Sequence, residues 1–234
     1  MKKTKIAIFD IDGTIFRKNL HFELINELSW MGIFPKEVRS KLTAIYSSWL
    51  EHKGTYEDYK RALVDMYAEY IAGVSEADVI KAAKVVIPFQ AERTYVFSED
   101  LIKKLRAENY CLMVISGSPI EIVEEYNKHY LHFDYVYGSV YEQDGAGKYT
   151  GKALYEPVRF KGKVVQEFVE KNGFTLTDSY GVGDTESDAS FLQHVDHPIA
   201  FNPNQNLKAI AEIEGWRIIV EKKDVIYEIQ PHRP

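Results

Sequence analysis

The chain has 234 residues, 45% of them hydrophobic and 27% charged, the balance of an ordinary globular protein with room for a full core and a sizeable insertion. A net charge of −6 disfavours nucleic acid and anionic membrane surfaces as partners, and the 13% aromatic share, 16 tyrosines included, comes without the basic stripe of a nucleic-acid platform. No apolar run approaches the roughly 20 residues of a membrane span, the basic start Met1-Lys2-Lys3-Thr4-Lys5 precedes too short an apolar stretch for a signal peptide, and the single Cys111 allows no internal disulfide. A cytoplasmic location is expected.

In chain order, Ile6-Ala7-Ile8-Phe9 reads as a buried strand that runs directly into Asp10-Ile11-Asp12-Gly13-Thr14. From about Asn19 to Phe89 the pattern is helical. Leu20, Phe22, Leu24, Ile25 and Leu28 predict a helix that stops near Gly32 and Pro35, and a second helix runs from Lys36 through Leu50. Thr55 to Asp58 resembles a capping box ahead of a helix reaching about Ile71, and Ser75-Glu76-Ala77-Asp78 opens another. From Thr94 onward helices and strands alternate, the signature of a parallel sheet covered on both faces. Ser98 is expected to cap a helix through Glu108, followed by strand Tyr110 to Ile115 and helix Glu121 to His129. Strand Tyr135 to Tyr141, helix Val164 to Lys171, strand Ser179 to Val182, helix Asp188 to Gln193 and a last short strand, Pro198 to Phe201, complete the expectation. The fold class is therefore α/β, a doubly wound, mainly parallel sheet. Residues 1–15 and 91–234 are expected to form the α/β core, and 16–90 an inserted helical cap.

The strand ends are the places to look for chemistry, because ligands of open α/β sheets bind beyond the carboxyl ends of strands. Asp10 and Asp12, two apart on extended backbone, point the same way and can converge on one cation or phosphoryl group, with Gly13 giving a sharp exit. An ordinary turn would use the same residues, so partners are needed. Ser116-Gly117-Ser118-Pro119 ends the next strand at the start of a helix, where hydroxyl and backbone N–H groups suit phosphate; Ser116 is the expected contact and Ser118 the expected cap. Gly183-Asp184-Thr185-Glu186-Ser187-Asp188 forms a second acidic edge. Carboxylates clustered at one edge repel each other without a cation, and Mg²⁺ suits a few carboxylate oxygens with phosphate oxygens and water. One of Arg159, Lys161 and Lys163 supplies the counter-charge. These parts specify attack of a carboxylate on phosphorus and hydrolysis of the aspartyl-phosphate, with the second acid protonating the leaving oxygen and then activating water.

Asp10-Ile11-Asp12-Gly13-Thr14, Ser116-Gly117-Ser118, Lys161 and Gly183-Asp184-Thr185-Glu186-Ser187-Asp188 occur in the order seen in the haloacid dehalogenase (HAD) superfamily. The chain resembles its phosphoserine phosphatase-like branch, whose helical cap lies between the first two motifs and whose core is Rossmann-like. The resemblance implies that Asp10 is the nucleophile and a metal ligand. Asp12 becomes the acid/base that also offers its backbone carbonyl to Mg²⁺, Ser116 and Gly117 bind the phosphoryl group, and Asp184 is a metal ligand. Asp188 is a ligand or orients the metal's water, and Lys161 is preferred over Lys163 because its spacing to Asp184 aligns without a gap. Asn19 stands where phosphoserine phosphatases carry a substrate-recognising glutamate. His21, Glu23, Lys60 and Arg61 are candidate contacts from the cap.

The expected function is thus Mg²⁺-dependent hydrolysis of a small phosphorylated metabolite by a monomer or homodimer. Two alternatives use related residues. A metal-independent dehalogenase of the same superfamily would not require Asp12, and a receiver-like signalling module would hold a stable phospho-aspartate without multiple turnover.

Overall fold

The computed structural model describes residues 3–229; Met1 and Lys2 of the basic start, with residues 230–234, lie outside the described residues. β1 (Lys5–Phe9) occupies the middle of the sheet because every side chain from Ile6 to Phe9 is apolar and fully buried. Period-two alternation sends Ile6 and Ile8 to one face and Ala7 and Phe9 to the other, and each face is covered by helices. β1 pairs in parallel with β2 (Cys111–Pro119) on one side and with β5 (Thr175–Gly183) on the other.

Among the described residues one sheet runs in the order β4-β3-β2-β1-β5-β6-β7-β8, with β3 (Tyr135–Gln143), β4 (Tyr149–Tyr155), β6 (His197–Phe201), β7 (Arg217–Lys222) and β8 (Val225–Ile229). Only the outermost pairs, β3 with β4 and β7 with β8, are antiparallel. This is the doubly wound, mainly parallel α/β architecture that the alternating pattern predicts, and the Rossmann-like core that the family resemblance implies. One face carries α7 (Lys161–Asn172), α8 (Glu186–Leu192) and α9 (Gln205–Glu214), whose Val165, Phe168, Phe191, Leu192 and Leu207 pack on Ile6, Ile8, Met113 and Ile218.

Between β1 and β2 lie α1 (Leu20–Trp30), α2 (Glu37–Leu50), α3 (Tyr56–Ile71), α4 (Glu76–Gln90) and α5 (Val96–Ala107). The N-termini of α1, α3 and α4 carry side-chain caps. Asn19 accepts from the N–H of Phe22 at 2.9 Å, Thr55 and Asp58 form a reciprocal capping box, and Ser75 accepts from Asp78 at 3.2 Å. Leu20, Leu24, Leu63, Tyr67, Val79 and Ala83 join the layer formed by Phe9, Val114 and Phe201, so α1–α4 share a core with one face of the sheet. No helix among the described residues is long and apolar enough to cross a membrane.

Several boundaries differ from expectation for identifiable reasons. α5 begins two residues before Ser98; that hydroxyl is buried and donates to the carbonyl of Thr14 at 2.6 Å, tying down the chain beyond β1 instead of capping a helix. β2 continues through Ser116, Gly117 and Ser118 to Pro119, so these residues lie on strand, ahead of the seven-residue α6 (Ile120–Tyr126). The helix expected to reach His129 widens after Tyr126 into a π-type turn over Asn127–Leu131 and stops where His132 turns left-handed. α7 starts at Lys161, three residues early. The strand expected to be last is followed by α9, β7 and β8, and β4 was not anticipated.

Candidate active site

The chain leaves β1 toward β2 on one side and meets β5 on the other, so the carboxyl ends of β1 and β5 flank the point where strand order reverses. Asp10 follows β1 directly and its N–H donates to the carbonyl of Val182 at 3.0 Å. Asp184 follows β5 directly. Between them the chain turns tightly, with the N–H groups of Thr14, Ile15 and Phe16 all donating to the carbonyl of Ile11. Gly13 has φ +89°, and a Cβ there would lie 2.1 Å from an Asp184 carboxylate oxygen. Only glycine lets the turn and the second acidic edge approach this closely.

Lys161, at the first position of α7, is 1% exposed and reaches into this crevice. Its Nζ lies 2.5 Å from Asp10 Oδ1 and 2.6 Å from Asp188 Oδ1. Lys163 faces outward and pairs with Glu167 at 3.6 Å, while Arg159 pairs with Glu156 at 2.8 Å. Asp188 is fully buried, and its other oxygen accepts from the N–H groups of Asp184 and Thr185, both at 3.0 Å. Gly183 makes room for it, since a Cβ there would sit 2.4 Å from that of Asp188.

In the fold the Asp12 carboxylate has side-chain and backbone partners different from those of Asp10. The turn begins at Ile11, and the Asp12 carboxylate accepts from the N–H of Leu20 at 2.6 Å, from Ser118 Oγ at 2.7 Å and from Ser116 Oγ at 3.1 Å. Ser116, expected to meet phosphate, is buried on Asp12 and accepts from the N–H of Ser118 at 3.0 Å; Ser118, expected to cap a helix, is a second hydroxyl on Asp12. Because β2 extends to Pro119, Ser116 and Ser118 share one side of a strand, and the period-two rule applied to the aspartates would have found Ser118 as well.

Asp10, Asp184 and Asp188 bring carboxylate oxygens within 4.8 Å of one another, all buried. The Asp12 carboxylate stands outside this cluster. Burial pushes Asp10 up to about 7 against the pull of Lys161, and Asp188 and Asp12 add to the rise. Burial likewise raises Asp184 well above the usual carboxylate range, with Asp10 and Asp188 adding to it. For Lys161, burial works against the charged form, but Asp10 and Asp188 outweigh it and the pKa is raised. No hydrogen bond reaches the Asp184 carboxylate from the described residues. Crowded, desolvated carboxylates with one ammonium between them and one member unpartnered suit a divalent cation with oxygen ligands.

The family model of haloacid dehalogenase-like hydrolases matches residues 7–193, from inside β1 to beyond α8. The chain belongs to this family. This HAD-like hydrolase is 23% identical over 214 residues to a phosphoserine phosphatase of Archaeoglobus fulgidus, covering 90% of the chain and 56% of that protein, so it spans little more than half that relative's length. It is 21% identical over 230 residues to a histidinol-phosphatase of Neisseria meningitidis serogroup C, covering 92% of the chain and 97% of that relative. A solved structure described as a phospho-aspartyl intermediate analogue of phosphoserine phosphatase superposes with a TM-score of 0.65 at 26% identity, covering 95% of this chain and 96% of that one.

In this HAD-like hydrolase the crevice opens into a cavity of about 570 Å³, lined by Asp10, Asp12, Gly117, Lys161 and Asp184 below and by His21, Lys60 and Arg61 from α1 and α3. Lys60 lies 2.9 Å from Glu57 and 3.4 Å from Thr185 Oγ1, so it reaches the second acidic edge from above. Arg61 stands exposed at the rim. His21 is 3% exposed, its Nε2 has no hydrogen-bond partner, and burial lowers its pKa to about 3. Glu23 is held by Lys18 at 2.7 Å and Gln90 at 3.1 Å and lies away from the phosphate crevice. Thr185 and Ser187, which also line the cavity, were not singled out from sequence; only their place inside the acidic motif marks them.

Proposed function

We propose that this hydrolase is a Mg²⁺-dependent phosphatase that cleaves a small phosphorylated metabolite through an aspartyl-phosphate at Asp10. The observation that carries the reading is the single buried ammonium of Lys161 bridging Asp10 and Asp188 beside the unpartnered Asp184 carboxylate. Such an arrangement keeps one carboxylate oxygen of Asp10 fixed and its charge offset, while leaving room for an anionic substrate that bare carboxylates would repel.

Asp10, Asp184 and the main-chain carbonyl of Asp12 are the groups that would hold Mg²⁺, which when bound supplies the positive charge that lets phosphate approach a carboxylate. The Asp10 carboxylate attacks phosphorus and displaces the alcohol oxygen. Asp12, held by Leu20 and the two serines, gives its proton to that oxygen as the bond breaks. The Asp12 carboxylate then takes a proton from water, and the resulting hydroxide attacks phosphorus, releasing phosphate and regenerating Asp10. Asp188 engages both of its oxygens with Lys161 and the backbone after Gly183, so it positions Lys161 and the Asp184 turn. Ser116 donates to a phosphoryl oxygen by giving up the longer of the two hydroxyl bonds to Asp12, and Gly117 and Lys161 complete the phosphate site. Helices α1–α4 act as the cap that covers this site and excludes water.

Hydrolysis of an aryl phosphate should require Mg²⁺, cease on chelation, and fall by about three orders of magnitude or more in Asp10→Asn. Retained turnover in a clean preparation of that variant overturns the assignment, and halide release without Mg²⁺ would favour dehalogenation instead.

A further inference from the structure

Next to the carboxylate crevice lies a second cavity of about 480 Å³, within the range of small-molecule sites. One side of it is built of rings, Phe22 of α1, Tyr46 and Trp49 of α2, and Tyr56 and Tyr59 of α3, and the rest of the lining includes Lys18, Glu23, Asn202 and Asn204. The rings form one continuous surface. Trp49 and Tyr59 stack with centroids 5.4 Å apart at 21°, Tyr46 lies 5.7 Å from Trp49, Tyr56 lies 5.2 Å from Trp49, and Phe22 lies 5.5 Å from Tyr46.

Packing within the helices does not explain this cluster. Tyr67, on the same α3, is wholly buried as a core ring should be, whereas Tyr46 is 38% exposed, and Phe22, Trp49 and Tyr56 are half-buried around open space. The cavity also joins the reaction centre. Gly13 lies in its wall, and Asn19 and Asp184 line both cavities, so the ring-lined space opens beside the carboxylate crevice. The charged side chains of α1 and its approach are already matched: Lys18 with Glu23 at 2.7 Å, and Arg17 with Glu221 and over the Tyr95 ring at 4.7 Å. Asn19 accepts from the N–H of Phe22 at 2.9 Å, so its side-chain oxygen is engaged at the start of α1. A short, polar alcohol would leave the rings of Phe22, Tyr46, Trp49 and Tyr56 against water. A flat ring would cover them, gaining both apolar burial and offset stacking.

We propose that this cavity holds the alcohol half of the substrate, and that the preferred substrates are phosphomonoesters whose alcohol ends in a flat aromatic or heteroaromatic ring. This inference rests on the phosphatase reading for the reaction and on the cavity alone for the ring.

The test compares 2-phenylethyl phosphate with ethyl phosphate in the presence of Mg²⁺. The ring ester should have a kcat/KM at least about tenfold higher, the size expected of one or two aromatic contacts. In Trp49→Ala, and separately in Tyr46→Ala, the ratio should fall to about twofold or less. Partial misfolding lowers both rates together and leaves the ratio unchanged, so the ratio reads the pocket. A wild-type ratio near one, or a tenfold ratio that survives both substitutions, overturns the proposal. If the wild type hydrolyses neither ester, the phosphatase reading fails, and calorimetric titration then decides the cavity. At least tenfold tighter binding of 2-phenylethyl phosphate, lost in Trp49→Ala, upholds it; equal binding of the two esters overturns it.

Discussion

Replacing Lys161 by Met tests the electrostatic centre of the site. The substitution keeps the length and apolar volume of the side chain and removes only the ammonium that lies 2.5 Å from Asp10 and 2.6 Å from Asp188. Removing one partner of a buried ion pair destabilises by about 3–5 kcal/mol, because the remaining charge stays desolvated. Here two carboxylates lose their partner, but Asp10 already has a pKa near 7 and relieves the strain by taking a proton, which places the loss at about 3 kcal/mol. For a protein of this size each kcal/mol shifts Tm by about 2–4 °C, so a fall of about 6–12 °C is expected in thermal unfolding at neutral pH with EDTA. Asp188→Asn should be destabilising as well. The double variant should be more stable than the sum of the two by about 1–3 kcal/mol, since both single changes break the same contact. A fall in Tm below about 2 °C for Lys161→Met, or strict additivity in the double variant, refutes the view that this ammonium holds the two acids together.

Other expectations follow from buried groups near the site. His21 is neutral in the fold down to about pH 3, whereas in the unfolded chain it takes up a proton below about 6.5; stability is therefore full above that pH and is lost as pH falls, by about 2 kcal/mol at pH 5. His21→Phe, which keeps the edge-to-face contact with Tyr67 at 4.9 Å, should flatten the decline in denaturant midpoint between pH 7 and pH 5, and an unchanged slope would contradict it. Gly183→Ala forces a Cβ to within 2.4 Å of Asp188, so it should lower stability by about 1–3 kcal/mol and activity with it, measured by melting and by turnover. Gly117→Ala meets Val158 at 3.5 Å, an ordinary contact, and its Tm should stay within about 2 °C of the wild type.

The parts of the fold that were legible in sequence are those where one local signal acts alone. β1 declared itself because both of its faces are buried, leaving no polar residue to interrupt Ile6 to Phe9. The starts of α3 and α4 were marked by Thr55 with Asp58 and by Ser75. β4 was hidden because it is an edge strand buried only at Tyr149 and broken by Gly151 at φ +88°, although Asp144-Gly145-Ala146-Gly147 ahead of it is a turn signal in its own right. β8 is exposed along its whole length, so only its antiparallel pairing with β7 makes it a strand. α9 carried legible ends, Asn204 accepting from Leu207 and Gly215 turning left-handed, on a segment whose Ile213 is exposed.

For the site, sequence order pointed to the aspartates, Lys161 and the serine-bearing strand end, but not to how they divide among partners. That division depends on where a turn begins. The chain folds back at Ile11, one residue before Asp12, so Asp10 turns to Lys161 while Asp12 turns to Leu20, Ser116 and Ser118. The bond to Leu20 has a further effect, because Leu20 is the first residue of α1 and its N–H is one of the free donors of that helix. Asn19 satisfies the donor of Phe22 and Asp12 satisfies that of Leu20, so a carboxylate placed for proton transfer also serves as an anionic cap at a helix N-terminus. The Asp12–Leu20 bond thus ties the start of α1 to the loop beyond β1. One oxygen of Asp12 is thereby fixed by the start of α1 and the other by the end of β2, so the helix and the strand together set the orientation of Asp12.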